Sequence, residues 1–328
     1  MADQLVFAVM DVAFGVMADR MAEGYRHLAR LLVVLSSLSA VAFVLLPLVA
    51  GVAPGALLAV LVIWVVSTSV VRAPTLILLS KRAKAAQQAD LVVWYASGMA
   101  LASALVPFVG LWLKGSDPRL SFTISAVTLL VAVIALLRVV GKEAPVAEHM
   151  PPRPARFAAH LPLLLVLGLA GSGFQLHAFV NASPLYQLHA GKKQLPWLMP
   201  LLWLGFFAMQ VAVGPLLKRF GAMPVATGGI VLTAAASYAA GVVGNLGMLI
   251  ALQLICGVGW AMAFAGLMER ASTAGLRGAE GLFMGSFFAV TALCTLLRIA
   301  FASHWLSDWK SSQFLLPAAL LLAAGLIA

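Results

Sequence analysis

The chain has 328 residues, of which 63% are hydrophobic and only 10% charged, with a mean hydropathy of +1.04. Soluble domains run at roughly 45–50% apolar and 25% charged, so this chain has too few charges to coat a water-exposed globule, and a soluble enzyme is excluded. The formal net charge of +10 must be mapped along the chain before nucleic acid is invoked, because membrane proteins carry positive charge for orientation. Two cysteines, Cys256 and Cys294, fall inside apolar runs and suit neither a disulfide framework nor a metal site.

A membrane-spanning helix needs about 20 mainly apolar residues. Runs bounded by charge, Gly or Pro lie at about 5–18, 28–48, 57–80, 91–113, 120–140, 161–181, 197–217, 223–243, 247–267, 281–303 and 313–328. The first and last are shorter and abut the chain ends. A signal peptide does not fit the first, because Asp11 interrupts it and Asp19-Arg20 follows where small cleavage-site residues belong.

Alternate connecting segments sort by charge. One set holds Arg20, Arg26, Arg30, Lys81, Arg82, Lys84, Arg138, Lys142, Arg153, Arg156, Lys218, Arg219, Arg270 and Arg277; the other holds Lys114, Arg119, Lys192, Lys193 and Lys310. The positive-inside rule makes the first set cytoplasmic, which accounts for the basic balance without nucleic acid. It also places Met1 outside, from which we expect one further helix upstream. The connector Gly141 to His160 mixes Lys142, Glu143, Glu148, Arg153 and Arg156 with Pro145, Pro151, Pro152 and Pro154. It reads as a cytoplasmic linker between a bundle at 1–140 and another at 161–328.

The halves share a motif. Gly15-Val-Met-Ala-Asp19-Arg20 aligns with Gly214-Pro-Leu-Leu-Lys218-Arg219 at a constant offset, and both close a helix on the cytoplasmic side. With Gly24 and Arg26 after the first copy and Gly221 after the second, these residues resemble the loop signature of the major facilitator superfamily. Here Met21-Ala22-Glu23 separates Arg20 from Gly24 where the family usually has one residue, and Lys218 replaces the acid. If the first run is numbered two, the copies follow helices two and eight, as the family requires. The first copy with Asp11 also looks like the second helix of the sugar and cation symporters, though Val12 stands where those usually carry proline. The fifth-helix antiporter pattern is not matched: Gly98, Ala102, Val106-Pro107 and Gly110 lack its Gly-Pro pair and read as close packing with a proline kink.

The resemblance implies an all-α polytopic membrane protein of two pseudo-symmetric bundles, with the first helix of each three-helix unit lining a central cavity. Those helices are the runs at 57–80, 161–181 and 247–267. Each has a stripe at helical spacing: Trp64, Thr68, Arg72 and Thr75; Phe174, His177 and Asn181, with Gln175 and Ser172 alongside; and Gln253, Cys256, Trp260 and Phe264. Such stripes suit substrate lining or interhelical hydrogen bonding, and both readings stay open.

Ionisable groups are sharper, since an Asp or Arg at the centre of a span costs about 2.5–3.5 kcal/mol and needs a partner or a task. Asp11 lies about 12 Å and Arg72 about 13.5 Å from the cytoplasmic ends of their helices at 1.5 Å per residue. We expect them to pair, either as a switch worked by a proton or cation on Asp11 or as a static bridge. His177, about 24 Å along its helix, is a second coupling or contact candidate, with a packing role as the alternative. Arg298 reads as snorkelling to the interface. The resemblance also implies that Asp19 approaches the start of the eleventh helix near Gly281, where a carboxylate is favoured by about 0.3–1 kcal/mol. Gly15, Asp19, Arg20, Gly24 and Arg26 then form a conformational latch favouring the state closed to the cytoplasm. The second copy, Gly214, Arg219 and Gly221, has Lys218 in the acidic position, so its latch should be missing or altered.

The sequon Asn181-Ala-Ser183 sits at a helix end before Pro184, Gly257-Val-Gly259 follows no strand, and the histidines have no ligand spacing. The expected function is secondary active transport of a small organic solute by alternating access, as a symporter of the plasma (inner) membrane coupled to a proton or monovalent cation. The solute is expected to be uncharged or anionic, with Arg72 as the anion contact. The expected protein is a monomer without cofactor, metal or nucleic-acid partner. The rivals are a non-transporting assembly or pigment-delivery factor on the same fold, an inert truncated carrier and, more distantly, a membrane enzyme.

Overall fold

The computed structural model describes residues 1–20, 25–71, 87–140, 160–275, 279–305 and 314–328, without the side chains of 25–28, 70, 88, 139, 140, 275 and 303–305. In chain order these form α1 (Ala2–Arg20), α2 (Tyr25–Val49), α3 (Pro54–Thr68, ending in a 3-10 turn at Ser69–Val71), α4 (Gln88–Trp112) and α5 (Pro118–Val140). After the linker follow α6 (Leu161–Gln187) and α7 (Lys192–Phe220). The rest are α8 (Ala222–Val242), α9 (Leu246–Gly275), α10 (Glu280–Trp305) and α11 (Leu315–Ile327). Among the described residues 8 helices, α2 and α4 to α10, are long and apolar enough to cross a membrane. Helices suit that solvent because each satisfies its own backbone polar groups.

The helix ends have local causes. Pro54 opens α3, where its missing N–H costs nothing. The Asp117 carboxylate accepts from the Arg119 N–H ahead of α5, and the Asn245 side chain accepts from the Met248 N–H at the start of α9. Gly221, at φ +83°, breaks the chain between α7 and α8 in a conformation that a Cβ would strain.

Some boundaries depart from the sequence reading: the run expected to end at 267 continues as α9 to Gly275. The run expected to end at 181 continues as helix to Gln187, by widening into a π-helical turn at His177–Asn181. Pro184 lacks an N–H and its ring crowds the carbonyl four residues back, and the wider turn lies where that crowding falls. Asn181 is therefore buried within a continuous helix, which removes it as a glycosylation acceptor. The linker at 141–159 and the later part of the 57–80 run lie outside the described residues.

The chain packs as two compact units. The first comprises residues 1–85, 113–155 and 274–292; the second comprises 86–112, 156–273 and 293–328. In the first unit α2 packs on α3 and α5. The small-residue face of α1 lies against the opening half of α10, with Ala8 clustered with Ala289 and Ala292. In the second unit α4 packs on α7, and α11 on α6 and α8. There α9 runs close to α7 and α8 through glycines: a Cβ on Gly257 would overlap the Leu202 carbonyl of α7, and one on Gly259 would press on Thr233 of α8. Small residues that let backbones approach are the usual means of association in a solvent as apolar as the side chains.

Candidate functional site

Two of the three expected stripes meet. In the second unit, His177 Nε2 of α6 lies 3.1 Å from Gln253 Oε1 of α9. Both residues are 0% exposed. One turn along α6, the Phe174 ring stacks on the Trp260 ring of α9 with centroids 4.2 Å apart and planes 6° from parallel. Trp203 of α7 meets Phe174 edge-on at 5.9 Å. Residue numbers rise along α6 as they fall along α9 through these contacts, so the two helices run antiparallel here. Cys256, between Gln253 and Trp260 in the stripe, is fully buried. Gln175, on the adjoining face of α6, donates from Nε2 to Thr295 Oγ1 of α10 at 3.1 Å.

The α3 stripe belongs to the first unit. Trp64 is held by aromatic neighbours, stacked on Phe43 of α2 at 5.1 Å and edge-on to Phe7 of α1 at 6.5 Å. Thr68 is half-buried at the end of α3. Arg72 and Thr75 lie outside the described residues, and so does the expected pairing of Arg72 with Asp11. Asp11 itself is 0% exposed, on the face of α1 that packs against Gly285 of α10. The Arg298 guanidinium carbon sits 4.4 Å from the centroid of the Phe179 ring, a cation–π contact.

The two copies of the shared motif are built differently. In the first unit, the Asp19 carboxylate accepts from the Gly281 N–H at 2.6 Å and from the Leu282 N–H at 2.8 Å. These are first-turn amides of α10, which have no partner within the helix. Asp19 thus reaches the place that the resemblance implied. The approach depends on glycines, since a Cβ on Gly15 would overlap the Gly281 carbonyl. Arg20 is exposed, Gly24 lies outside the described residues, and so does the side chain of Arg26.

In the second unit, Lys218 Nζ donates to Asp90 Oδ1 at 2.7 Å. Asp90 lies in the first turn of α4. Both side chains of this pair are about half exposed, at 51% and 48%. Gly214 has room, because a Cβ there would meet only Val93 Cγ2 at 3.4 Å and Asp90 Oδ1 at 3.9 Å. Arg219 lies over the ring of its neighbour Phe220. The second contact is therefore present with altered chemistry: a cation meets a side-chain carboxylate where the first copy sets a carboxylate on backbone amides.

Asp90 is the residue that sequence reading passed over. An acid opening an apolar run is favoured by the helix N-terminus, but nothing local connects it with a lysine 128 positions away. Phe43 and Thr295 were missed for the same reason. Among the described residues no group of three metal-ligating side chains forms.

The sequence model described as Major Facilitator Superfamily matches residues 2–294. Among solved structures, the chain is similar to the human organic anion transporter MFSD10 (TETRAN), at 16% identity and a TM-score of 0.75, covering 99% of this chain and 83% of that one. It is similar to a single-substitution variant of the fucose:proton symporter FucP of E. coli, at 13% identity and a TM-score of 0.73, covering 99% and 88%. A bacterial homologue of the iron transporter ferroportin, in an outward-facing state, gives 14% identity and a TM-score of 0.76 over 99% and 87%. No curated protein matches the chain.

Proposed function

Because the chain belongs to the Major Facilitator Superfamily, a family of multi-pass membrane transporters, we propose that it is a symporter moving a small organic solute by alternating access. A proton or monovalent cation supplies the drive, and the two bundles divided at residues 141–160 are its moving parts. The observation that carries this reading is the α6–α9 stripe, a polar pair and an aromatic stack buried inside two apolar spans. Polar groups at such depth are costly and mark solute or ion pathways. In the same reading Asp11, fully buried on α1, takes up the coupling ion with Arg72 as its counter-charge, and His177 is the second coupling candidate.

Asp19 serves as the latch. Two hydrogen bonds donated by backbone amides to one carboxylate hold α1 to the start of α10 and favour the form closed on that side of the membrane. Contacts of this kind bias an equilibrium without freezing it. The fold is shared with a proton-coupled carrier, the fucose:proton symporter, and that likeness supports proton coupling here.

The test uses the chain's own thiols. It has only 2 cysteines, so the C294S variant leaves Cys256 alone in the α9 stripe. In proteoliposomes, Cys256 is expected to react with membrane-impermeant thiol reagents from either side, because alternating access wets the stripe in turn. A folded protein whose Cys256 stays inert to reagent from both sides, with and without a pH gradient, contradicts the reading.

A further inference from the structure

The chemistry of the α6–α9 pair narrows the solute, given the carrier reading on which this inference rests. His177 Nδ1 and Gln253 Nε2 are both buried and have no hydrogen-bond partner among the described residues. Buried polar atoms are normally satisfied, so two orphans on one bonded pair need an explanation. His177 opens the π-helical turn at His177–Asn181, and the bond to Gln253 fixes which edges remain open.

A count of donors and acceptors gives the character of the open edge. A neutral imidazole has one donor and one acceptor, and a carboxamide has a donor NH2 group and an acceptor oxygen. With Gln253 Oε1 accepting from the Nε2–H of His177, the pair is left with a donor on Gln253 and an acceptor on His177. Turning the amide over and exchanging the imidazole tautomer leaves the reverse, again one donor and one acceptor. An imidazolium would present donors alone, the match for an anion, but a charged ring beside an uncharged amide is costly within the bilayer. Stacked Phe174 and Trp260 lie one and two turns away on the same stripes; they are 3% and 5% exposed in this form and present flat apolar faces to a solute only when the site opens.

We propose that His177 and Gln253 form a recognition edge for a neutral solute group that both donates and accepts a hydrogen bond, of the carboxamide or hydroxyl type, carried on a flat ring that seats on the Phe174–Trp260 wall. Pairing such a group with a donor and an acceptor gives discrimination, because an analogue lacking either leaves a buried group unmet.

The test compares three probes of nearly equal shape, benzamide, benzoate and benzylammonium, in C294S proteoliposomes. The measured quantity is the rate of Cys256 alkylation by N-ethylmaleimide. Benzamide at twice its Kd should slow alkylation about threefold, the factor 1 + [L]/Kd, while the two charged probes leave the rate unchanged. Protection should vanish in H177A and Q253A and survive in H177Q, since an amide–amide pair also leaves one donor and one acceptor. That rescue separates recognition from a fold lost on truncation. Protection by benzoate as strong as by benzamide, protection that persists in H177A and Q253A, or none from benzamide while Cys256 reacts normally, each overturns the proposal and leaves the carrier reading intact. A parent Cys256 that never reacts removes both.

Discussion

The two copies of the glycine-initiated motif do the same geometric task with opposite chemistry. In the first unit, Asp19 sits on two backbone amides at the start of α10, and the helices approach so closely that Gly15 and Gly281 admit no Cβ. In the second, Lys218 reaches a side chain, Asp90, across a contact open enough for a Cβ at Gly214. The first partner is backbone, whose N–H groups survive any substitution in α10 short of proline, and the carboxylate meets orphan amides at a positive helix end. The second is an ion pair about half exposed on both sides, of the kind that contributes little and is screened by salt. A duplicated motif thus has one firm and one weak copy.

Substitution separates the copies, the largest effect coming from the glycines. G15A drives a Cβ into backbone, which cannot move aside. It should lower stability by about 1–3 kcal/mol, as overpacking does, with a drop in thermal midpoint in detergent. G214A, facing ordinary contact distances, should leave the midpoint nearly unchanged. Equal midpoints for G15A and G214A would remove the contrast.

The carboxylate comes next. D19N keeps one acceptor and loses the charge; hydrogen bonds to charged groups contribute about 1.5–3 kcal/mol each. The balance between forms should shift toward the one open on the Asp19 side by about tenfold, as 1.4 kcal/mol is a factor of ten. The smallest effect belongs to K218A, where a surface pair worth about 0.2–1 kcal/mol is lost. Raising salt in the parent should reproduce the K218A phenotype while leaving that of D19N in place, since screening acts on exposed charges. A salt response as large in K218A as in the parent would assign it to other charges.

Much of this was legible in the sequence, and what was not has physical reasons. Apolar run length located the helices, because a bilayer demands about 20 residues whatever their identity. The Asp19 contact was reachable only through the family resemblance that the motif at Gly15 carries, because its partner lies 262 positions away. The α6 boundary was misread because Pro184 and Asn181 signal an end in the usual local rules, whereas the helix continues past them through a π-helical turn that accommodates the proline. The stripes on α6 and α9 were visible separately. That His177 would pair with Gln253, and Phe174 with Trp260, depends on which helices become neighbours, and periodicity within one helix holds no such information. Lys218 was seen as an exception to the motif, but its partner Asp90 is distant in sequence.

The accessibility of Cys256 in C294S proteoliposomes, probed with an impermeant thiol reagent from the Asp19 side of the membrane, tests the central claim most directly. Removing the firm latch through D19N should raise the labelling rate from that side about tenfold, as 1.4 kcal/mol is a factor of ten, and K218A should change it by less than about fivefold. Labelling that is the same in the parent, D19N and K218A would contradict both the latch and the opening of the α9 stripe.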